Sequence, residues 1–345
     1  MDAFAYRLLA WWDEHGRHDL PWQHPRDPWR VWVAEVMLQQ TQVATVIPYF
    51  ARFMARFPDI ATLAAADEDE VLAHWAGLGY YRRARFLHAA ARYVVEHHGG
   101  RFPQDIEAAM ALPGLGRSTA AAILAQAHGL PHAILDGNVK RVLARYHGIE
   151  GWPGEGAVER ELWRQAEAHT PCERVADYTQ AIMDLGATVC TPKHPACERC
   201  PQQVDCAALR TGRVDALPTP RPRKALPVRR TVMLLIEDEG RVLLVRRPPV
   251  GVWPGLYSLP ECPTEDAADC PGRLGVVVTE ALPVLRHTFS HYHLDIEPRR
   301  ARLKAPAARV MDEDGRLWYN PAHPPPGLPA PVQRIIQQYC KRKTT

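Results

Sequence analysis

Along roughly the first 210 residues, apolar side chains recur at i, i+3 and i+4 in stretches rich in Ala, Leu, Arg and Glu. Such stretches predict helices over Val31–Ile47, Glu70–Leu78, Arg82–His97, Ser118–His128, Val139–His147, Gly156–His169 and Val175–Thr188, with Gly and Pro between them. From residue 212 to 229 the chain turns proline-rich and basic, with little that could pack, which predicts a linker. Past it the period drops to two. Thr231–Arg247 reads as two strands joined by a tight turn at Asp238–Gly240, followed by strand-like runs at Gly275–Val278, Val284–Ser290 and Tyr292–Glu297 and a helix at Pro331–Cys340. The expected architecture is an all-α domain over 1–211 and an α+β domain over 230–345, in line with 345 residues as a length for about two domains.

Four of the eight cysteines change the picture. Cys190, Cys197, Cys200 and Cys206 are spaced C-x6-C-x2-C-x5-C, close enough to wrap one metal centre. Zinc sites usually pair two C-x2-4-C units across a longer loop. One tight pair with an outlying cysteine on each side favours a [4Fe–4S] cluster instead. Cys172, Cys262, Cys270 and Cys340 lack ligand spacing and are expected to be ordinary thiols. The N-terminus shows no secretory pattern, and no run approaches the ~18 apolar residues of a membrane span. A cytoplasmic, monomeric protein without a membrane partner is the resulting expectation. A net charge of +3 argues neither for nor against nucleic acid.

Leu112–Ala120, LPGLGRSTA, sits between two helical runs. Gly114 and Gly116 permit a sharp turn that bares backbone N–H groups, and Ser118 is read as opening the next helix, whose amides and dipole favour an anion. The arrangement suits one DNA phosphate; an unliganded helix–turn–helix corner fits the glycines equally well. A nucleotide P-loop does not fit, since the Gly-Lys-Ser/Thr ending is missing.

In that order, L-P-G-x-G-R-x-T-A, a downstream L-D-x-N-V-x-R and the four-cysteine loop resemble the helix–hairpin–helix DNA glycosylases that carry an iron–sulfur cluster, the endonuclease III superfamily. The resemblance implies a two-lobed helical body with the substrate cleft between the lobes. Members that also cut the strand have a lysine after the Gly-Arg of the hairpin; here the position is Ser118, whose hydroxyl cannot form an imine, so a monofunctional enzyme is expected. The segment E-V-M-L-Q-Q-T-Q, from Glu35 to Gln42, is similar to that of the MutY-type adenine DNA glycosylases, which remove adenine mispaired with 8-oxoguanine. By that resemblance Glu35 protonates the departing adenine at N7. Asp136 stabilises the oxocarbenium-like sugar, directly or by transient attachment, and Asn138 orients it. Gln40, Leu78 and Tyr80 fill the gap left by the flipped base, and Trp22 and Gln23 line the adenine pocket. Without the resemblance, Glu35 reads as the polar stripe of an amphipathic helix and Asp136 as a helix N-cap.

The C-terminal half resembles a Nudix fold, with Arg247 and the stretch from Gly251 to Glu261 in place, but the acidic helix that should follow is missing from Cys262–Gly275. Without those carboxylates Mg2+ and pyrophosphate hydrolysis are not expected. The run His287–His293, HTFSHYH, resembles the MutY loop that meets 8-oxoguanine: Phe289 would intercalate, Ser290 would bond the lesion's altered edge, and His291 would assist detection. A zinc site on His287, His291 and His293, or a plain exposed hairpin, are rival readings. At the level of the whole chain the rivals are a pyrimidine-lesion glycosylase with lyase activity, a non-catalytic cluster-bearing DNA sensor and a nucleotide pyrophosphatase.

Overall fold

The computed structural model describes residues 1–345 except 223–224, 249–250, 290, 305–314, 324, 326, 341–345 and the side chain of Glu265. The chain forms two compact units, Met1–Arg223 and Lys224–Thr345. The first unit runs past the expected boundary at 211. Leu217 is buried, its carbonyl accepts from Arg145 Nε at 2.8 Å, and Thr219 Oγ1 accepts from Gly151 N at 3.1 Å. The start of the proline-rich segment is therefore held by the helical body, because its backbone carbonyls meet a buried guanidinium.

The first unit is helical: α1 (Ala3–His15), α2 (Pro28–Leu38), α3 (Val43–Arg56), α4 (Ile60–Ala65), α5 (Glu68–Trp75), α6 (Arg82–His98), α7 (Ile106–Met110), α8 (Arg117–His128), α9 (Gly137–His147), α10 (Gly156–His169), α11 (Val175–Asp184) and the short α12 (Ala207–Arg210). Two cores form. One gathers Leu8, Trp12, Leu143, Leu162, Ile182 and Leu185 from α1, α9, α10, α11 and the turn after α11. The other is aromatic, with Trp29, Trp32, Phe53, Phe57 and Trp75 in ring contact. α8 packs on both α2 and α11. Its run of alanines, Ala120–Ala122 and Ala125, is buried, and small side chains let helices close in from both directions.

The sequence predicts one helix over Val31–Ile47, but the structure breaks it between Leu38 and Val43. Gln40 there takes φ +58°. Neither Gly nor Pro causes the break. The guanidinium of Arg83, from α6, takes the carbonyls of Val36 (3.0 Å), Met37 (2.7 Å) and Gln39 (2.5 Å), which caps α2 from outside.

The second unit is a mixed sheet of β1 (Val228–Asp238), β2 (Arg241–Arg246), β3 (Tyr257–Ser258), β4 (Glu261–Cys262), β5 (Val276–Ala281), β6 (Leu285–Thr288), β7 (His293–Leu303) and β8 (Arg316–Tyr319), with α13 (Cys270–Arg273) and α14 (Ala330–Tyr339). β1 lies at the centre, parallel to β7 and antiparallel to β2 and β4. The β1–β2 turn falls at the expected place, where Glu239 (φ +46°) and Gly240 (φ +77°) adopt the two left-handed conformations of a type I′ hairpin. Cys262 and Cys270, expected as ordinary thiols, form a disulfide, because the intervening loop folds back until their Cα atoms are 5.9 Å apart. Among the described residues no helix is long and apolar enough to cross a membrane.

Candidate active site

A cleft of about 970 Å3 in the helical unit is lined by Glu35, Gln40, Trp22, Asp136, Asn138 and Arg17, among others. Glu35 projects from α2, whose neighbouring positions Val31–Ala34, Val36 and Met37 are all buried. Its Oε1 accepts from Gln126 Nε2 of α8 at 3.0 Å. Burial pushes its carboxyl up to about 7; the Gln126 hydrogen bond opposes this and the nearby Asp136 charge adds to it.

Asp136 caps α9, Oδ1 accepting from Val139 N at 2.8 Å, and Asn138 Nδ2 donates to Oδ2 at 3.3 Å. Its N-cap and cleft roles are thus one arrangement. Burial raises its pKa too, but the backbone N–H groups of Val139 and Asn138, the Asn138 side chain and Arg141 pull it down. The two carboxyls therefore differ in kind. Asp136 sits among donors that suit an anion, and Glu35 has a single amide. Burial raises both carboxyls, but several donors around Asp136 oppose that rise where Glu35 has one amide to do so.

Sequence reasoning missed the residues behind this pair. Arg141 Nη2 donates to Asn138 Oδ1 (2.8 Å) and Gly186 O (2.6 Å), and its Nε donates to Cys190 O (2.7 Å), joining the cleft to the cysteine loop. Gly186 is needed for this approach, since a Cβ there would lie 2.6 Å from Asn138 Cβ. Arg17 lines the cleft, pinned by the buried Asp184 through Nε (2.9 Å) and Nη2 (2.6 Å); Asp184 also holds Gln180, another lining residue, at 2.8 Å. Trp22 is buried against Phe50 at the cleft wall. Gln23 is buried as well and does not line the cleft; both of its amide atoms lack a hydrogen-bond partner among the described residues.

At one edge stand the residues assigned to gap filling. Gln40 is exposed, and Tyr80, with φ +51°, is 58% exposed. Leu78 is only 6% exposed and forms part of the core. Arg83 serves both segments: besides the α2 carbonyls it donates to Thr41 Oγ1 (3.2 Å), Leu78 O (3.5 Å) and Gly79 O (3.2 Å), under the Tyr80 ring. A buried cation surrounded by neutral acceptors fixes Gln40 and Tyr80 in one frame.

The glycine hairpin precedes α8. Gly114 has φ +79° and a Cβ there would meet Phe86 Cβ at 2.6 Å, so this position needs glycine. The helix N-cap is Gly116, not Ser118, and no side chain caps it, which leaves the first amides of α8 open to an anion. Ser118 Oγ instead accepts from Leu135 N at 2.9 Å and so ties the hairpin to the residue before Asp136.

Cys190, Cys197, Cys200 and Cys206 are free and line one small cavity. Burial raises the thiols of Cys197, Cys200 and Cys206, that of Cys200 to about 12, with their mutual charge adding to it. Thiols in such surroundings stay protonated unless a bound cation draws the proton off, and among the described residues the four side chains gather round the cavity without forming a closed ligand cluster. Arg145 Nη1 reaches Cys190 Sγ at 3.5 Å and holds the loop through Thr191 O at 2.7 Å.

In the second unit, Phe289 packs against Trp253, His287 and Tyr292 at 5.4, 4.6 and 4.7 Å between ring centroids. His291 is exposed next to it, and Ser290 lies outside the described residues. The zinc reading fails, because His287 pairs with Leu294 and His293 with Thr288, which puts the two imidazoles on opposite faces of the hairpin.

Residues 33–168 match the model of the HhH-GPD superfamily base excision DNA repair proteins, and residues 231–338 match that of the NUDIX domain. The chain is similar to an adenine DNA glycosylase of Buchnera aphidicola subsp. Acyrthosiphon pisum (strain APS), 35% identical over 342 residues that cover 98% of each. Among solved structures it is similar to a thermostable thymine-DNA glycosylase, with a TM-score of 0.55 and 30% identity over 60% of this chain and 95% of that one. In fold it also matches endonuclease III in a non-covalent DNA complex, with a TM-score of 0.52 and 22% identity over 61% and 94% of the two chains. Helical hairpin, carboxylate cleft, Nudix-like sheet and these likenesses agree, and the chain belongs to the adenine DNA glycosylase family of base-excision repair enzymes.

Proposed function

We propose that the protein hydrolyses the N-glycosidic bond of adenine paired with 8-oxoguanine or guanine in duplex DNA, and that it does so without cutting the strand. The observation that carries this reading is a pair of carboxyls in one cleft, both raised by burial, with several N–H donors on Asp136 and a single amide on Glu35. Adenine is a poor leaving anion and must gain a proton as the bond breaks. Glu35, pushed up to about 7, holds that proton near neutral pH and delivers it to N7. Asp136, an anion among N–H donors, faces the oxocarbenium-like sugar, and Asn138 with Arg141 fixes its carboxylate. Water then adds to the sugar and leaves an abasic site.

Gln40 and Tyr80 are suited to enter the stack when adenine leaves it; the burial of Leu78 makes it their support and not a wedge. The bare N-terminus of α8, with Gly114 and Gly116, would hold one backbone phosphate. The engaged hydroxyl of Ser118 supports a monofunctional reaction. Cys190, Cys197, Cys200 and Cys206 would hold a [4Fe–4S] cluster, which when bound would lock the 190–206 loop against Arg141 and Arg145. Phe289, Ser290 and His291 would read 8-oxoguanine, and Trp22 would wall the adenine pocket.

Single-turnover reaction of a duplex with one adenine opposite 8-oxoguanine tests the proposal. Strand cleavage at that adenine only after alkali is expected. Cleavage without alkali, or at oxidised pyrimidines in place of adenine, would overturn it.

A further inference from the structure

One aromatic residue of the second unit holds a backbone conformation that its own sequence opposes. Trp253 takes φ +50°. Bulky side chains rarely adopt the left-handed region, and the residue before a proline, here Pro254, favours extended backbone. Such a conformation persists only where surrounding contacts impose it. Here they come from Arg247. Its Nε donates to Val252 O at 2.6 Å, its backbone N–H donates to Leu256 O at 2.9 Å, and its carbonyl accepts from Gly255 N at 3.2 Å, which closes the turn from both ends. The same guanidinium donates through Nη1 to Glu261 at 2.5 Å, and Glu261 accepts from Thr231 Oγ1 of β1 at 2.5 Å. The turn is thereby anchored to the central strand. Arg247 Cζ also lies 5.7 Å from the centroid of the Trp253 ring.

The imposed conformation lays the indole against the tip of the β6–β7 hairpin. Ring centroids of Trp253 lie 5.4 Å from Phe289 and 5.5 Å from His287. Phe289 also meets His287, His291 and Tyr292, but all three belong to its own hairpin. Among the described residues, Trp253 is its one ring contact from elsewhere in the fold. Buried Tyr292 seats the Phe289 ring from within the hairpin, and Trp253 adds a wall that the hairpin does not supply. Both Trp253 and Phe289 are half-buried, so neither is simply core.

We propose that Trp253 is a positioning residue for lesion recognition: set by Arg247 and Glu261, it holds the Phe289 ring in the orientation that meets 8-oxoguanine. The inference rests on the reading of Phe289 as the lesion contact. A ring at a hairpin tip has several rotamers open to it, and a fixed indole wall removes some of them before DNA binds. Ordering in advance lowers the entropic cost of binding, so the effect belongs in affinity for the lesion and not in the chemistry of the cleft.

The experiment is single-turnover excision by the full-length protein from duplexes with adenine opposite 8-oxoguanine and opposite guanine, over a range of enzyme concentrations. The readout is the ratio of the two efficiencies, each a rate constant divided by the half-saturating concentration. Trp253→Ala is expected to lower this ratio by about two- to tenfold, the worth of one aromatic contact. The loss should appear in the half-saturating concentration on the 8-oxoguanine duplex and not in the rate at saturation, and Trp253→Phe should recover most of it. Arg247→Lys keeps the charge but not the planar fork, so it should lower the ratio in the same way; it supplies the test if Trp253→Ala does not fold. In a Phe289→Ala background, Trp253→Ala should add no further loss. A wild-type ratio in Trp253→Ala beside a lowered one in Phe289→Ala would end this proposal and leave the lesion reading standing. Losses that add in full in the double variant would end it too, because Trp253 would then act independently of Phe289. A wild-type ratio in Phe289→Ala would remove the lesion reading and this proposal together.

Discussion

Glu35→Gln separates catalysis from stability more sharply than any other change. In the folded protein the Glu35 carboxyl rises from 4.5 to about 7, chiefly through burial. A raised carboxyl pKa means that the folded state binds the proton more tightly than the unfolded chain. Below pH 4.5 both states hold it and nothing is lost; as pH climbs towards 7 the unfolded chain ionises first, and folding loses stability. A shift of roughly 2.5 units at 1.36 kcal/mol per unit amounts to about 3 kcal/mol of destabilisation, complete above pH 7. Glutamine cannot ionise and can still accept from Gln126. Glu35→Gln should therefore abolish adenine excision yet make the helical unit more stable than wild type by about 2–3 kcal/mol at pH 8, the gap closing towards pH 5. Urea unfolding followed by helical circular dichroism at several pH values gives the difference, and the predominance of helix in the first unit makes that signal its own. The wild-type single-turnover rate should also fall about tenfold per pH unit above 7, as the protonated fraction does. A stability difference independent of pH, or a less stable variant at pH 8, would refute the assignment of a desolvated acid.

Asp136→Asn should also stop excision while costing less than about 1 kcal/mol, since asparagine caps a helix as well as aspartate does; appreciable turnover in it would remove Asp136 from the chemistry. Arg83→Leu should destabilise the helical unit by about 3–5 kcal/mol, because it strands buried carbonyls on two segments, with Arg83→Lys recovering part of the loss. An Arg83→Leu protein as stable as wild type would show that the clamp is not structural. Cys200→Ser should lose iron–sulfur absorbance and melt at lower temperature, and weaker duplex binding should accompany it through the Arg141–Cys190 link; retained absorbance and duplex affinity would overturn the ligand set. Sodium borohydride should trap no covalent DNA adduct with the wild-type protein, and an adduct formed at the rate of excision would contradict the role given to Ser118.

Local chemistry was legible wherever it depends on neighbours in sequence. The glycine hairpin, the spacing of the four cysteines, the Glu239–Gly240 turn and the change of period after the linker all express constraints satisfied within a few residues. Glu35 stands out because it is a lone charge in an apolar helix face. Asp136 was visible as a cap, and the cap and the cleft carboxylate proved to be one residue in one geometry. What failed to show were contacts made by long side chains over long separations. Arg83 reaches carbonyls 44 to 47 residues away and breaks a helix whose own sequence favours continuing. Arg17 meets Asp184 across 167 residues. Leu78 sits in a motif that suggests insertion, yet its burial depends on packing no motif encodes. The Cys262–Cys270 bridge likewise follows from a loop that folds back.

A helical domain followed by a sheet domain, the residues able to give or hold a proton, and the thiols able to hold a metal can be read from the chain alone, because these depend on residue type and short-range period. How strongly burial raises the Glu35 carboxyl, and what braces Gln40 and Tyr80, emerge once the chain is packed. Desolvation and guanidinium contacts are properties of what surrounds a side chain, and those surroundings come from distant parts of the chain.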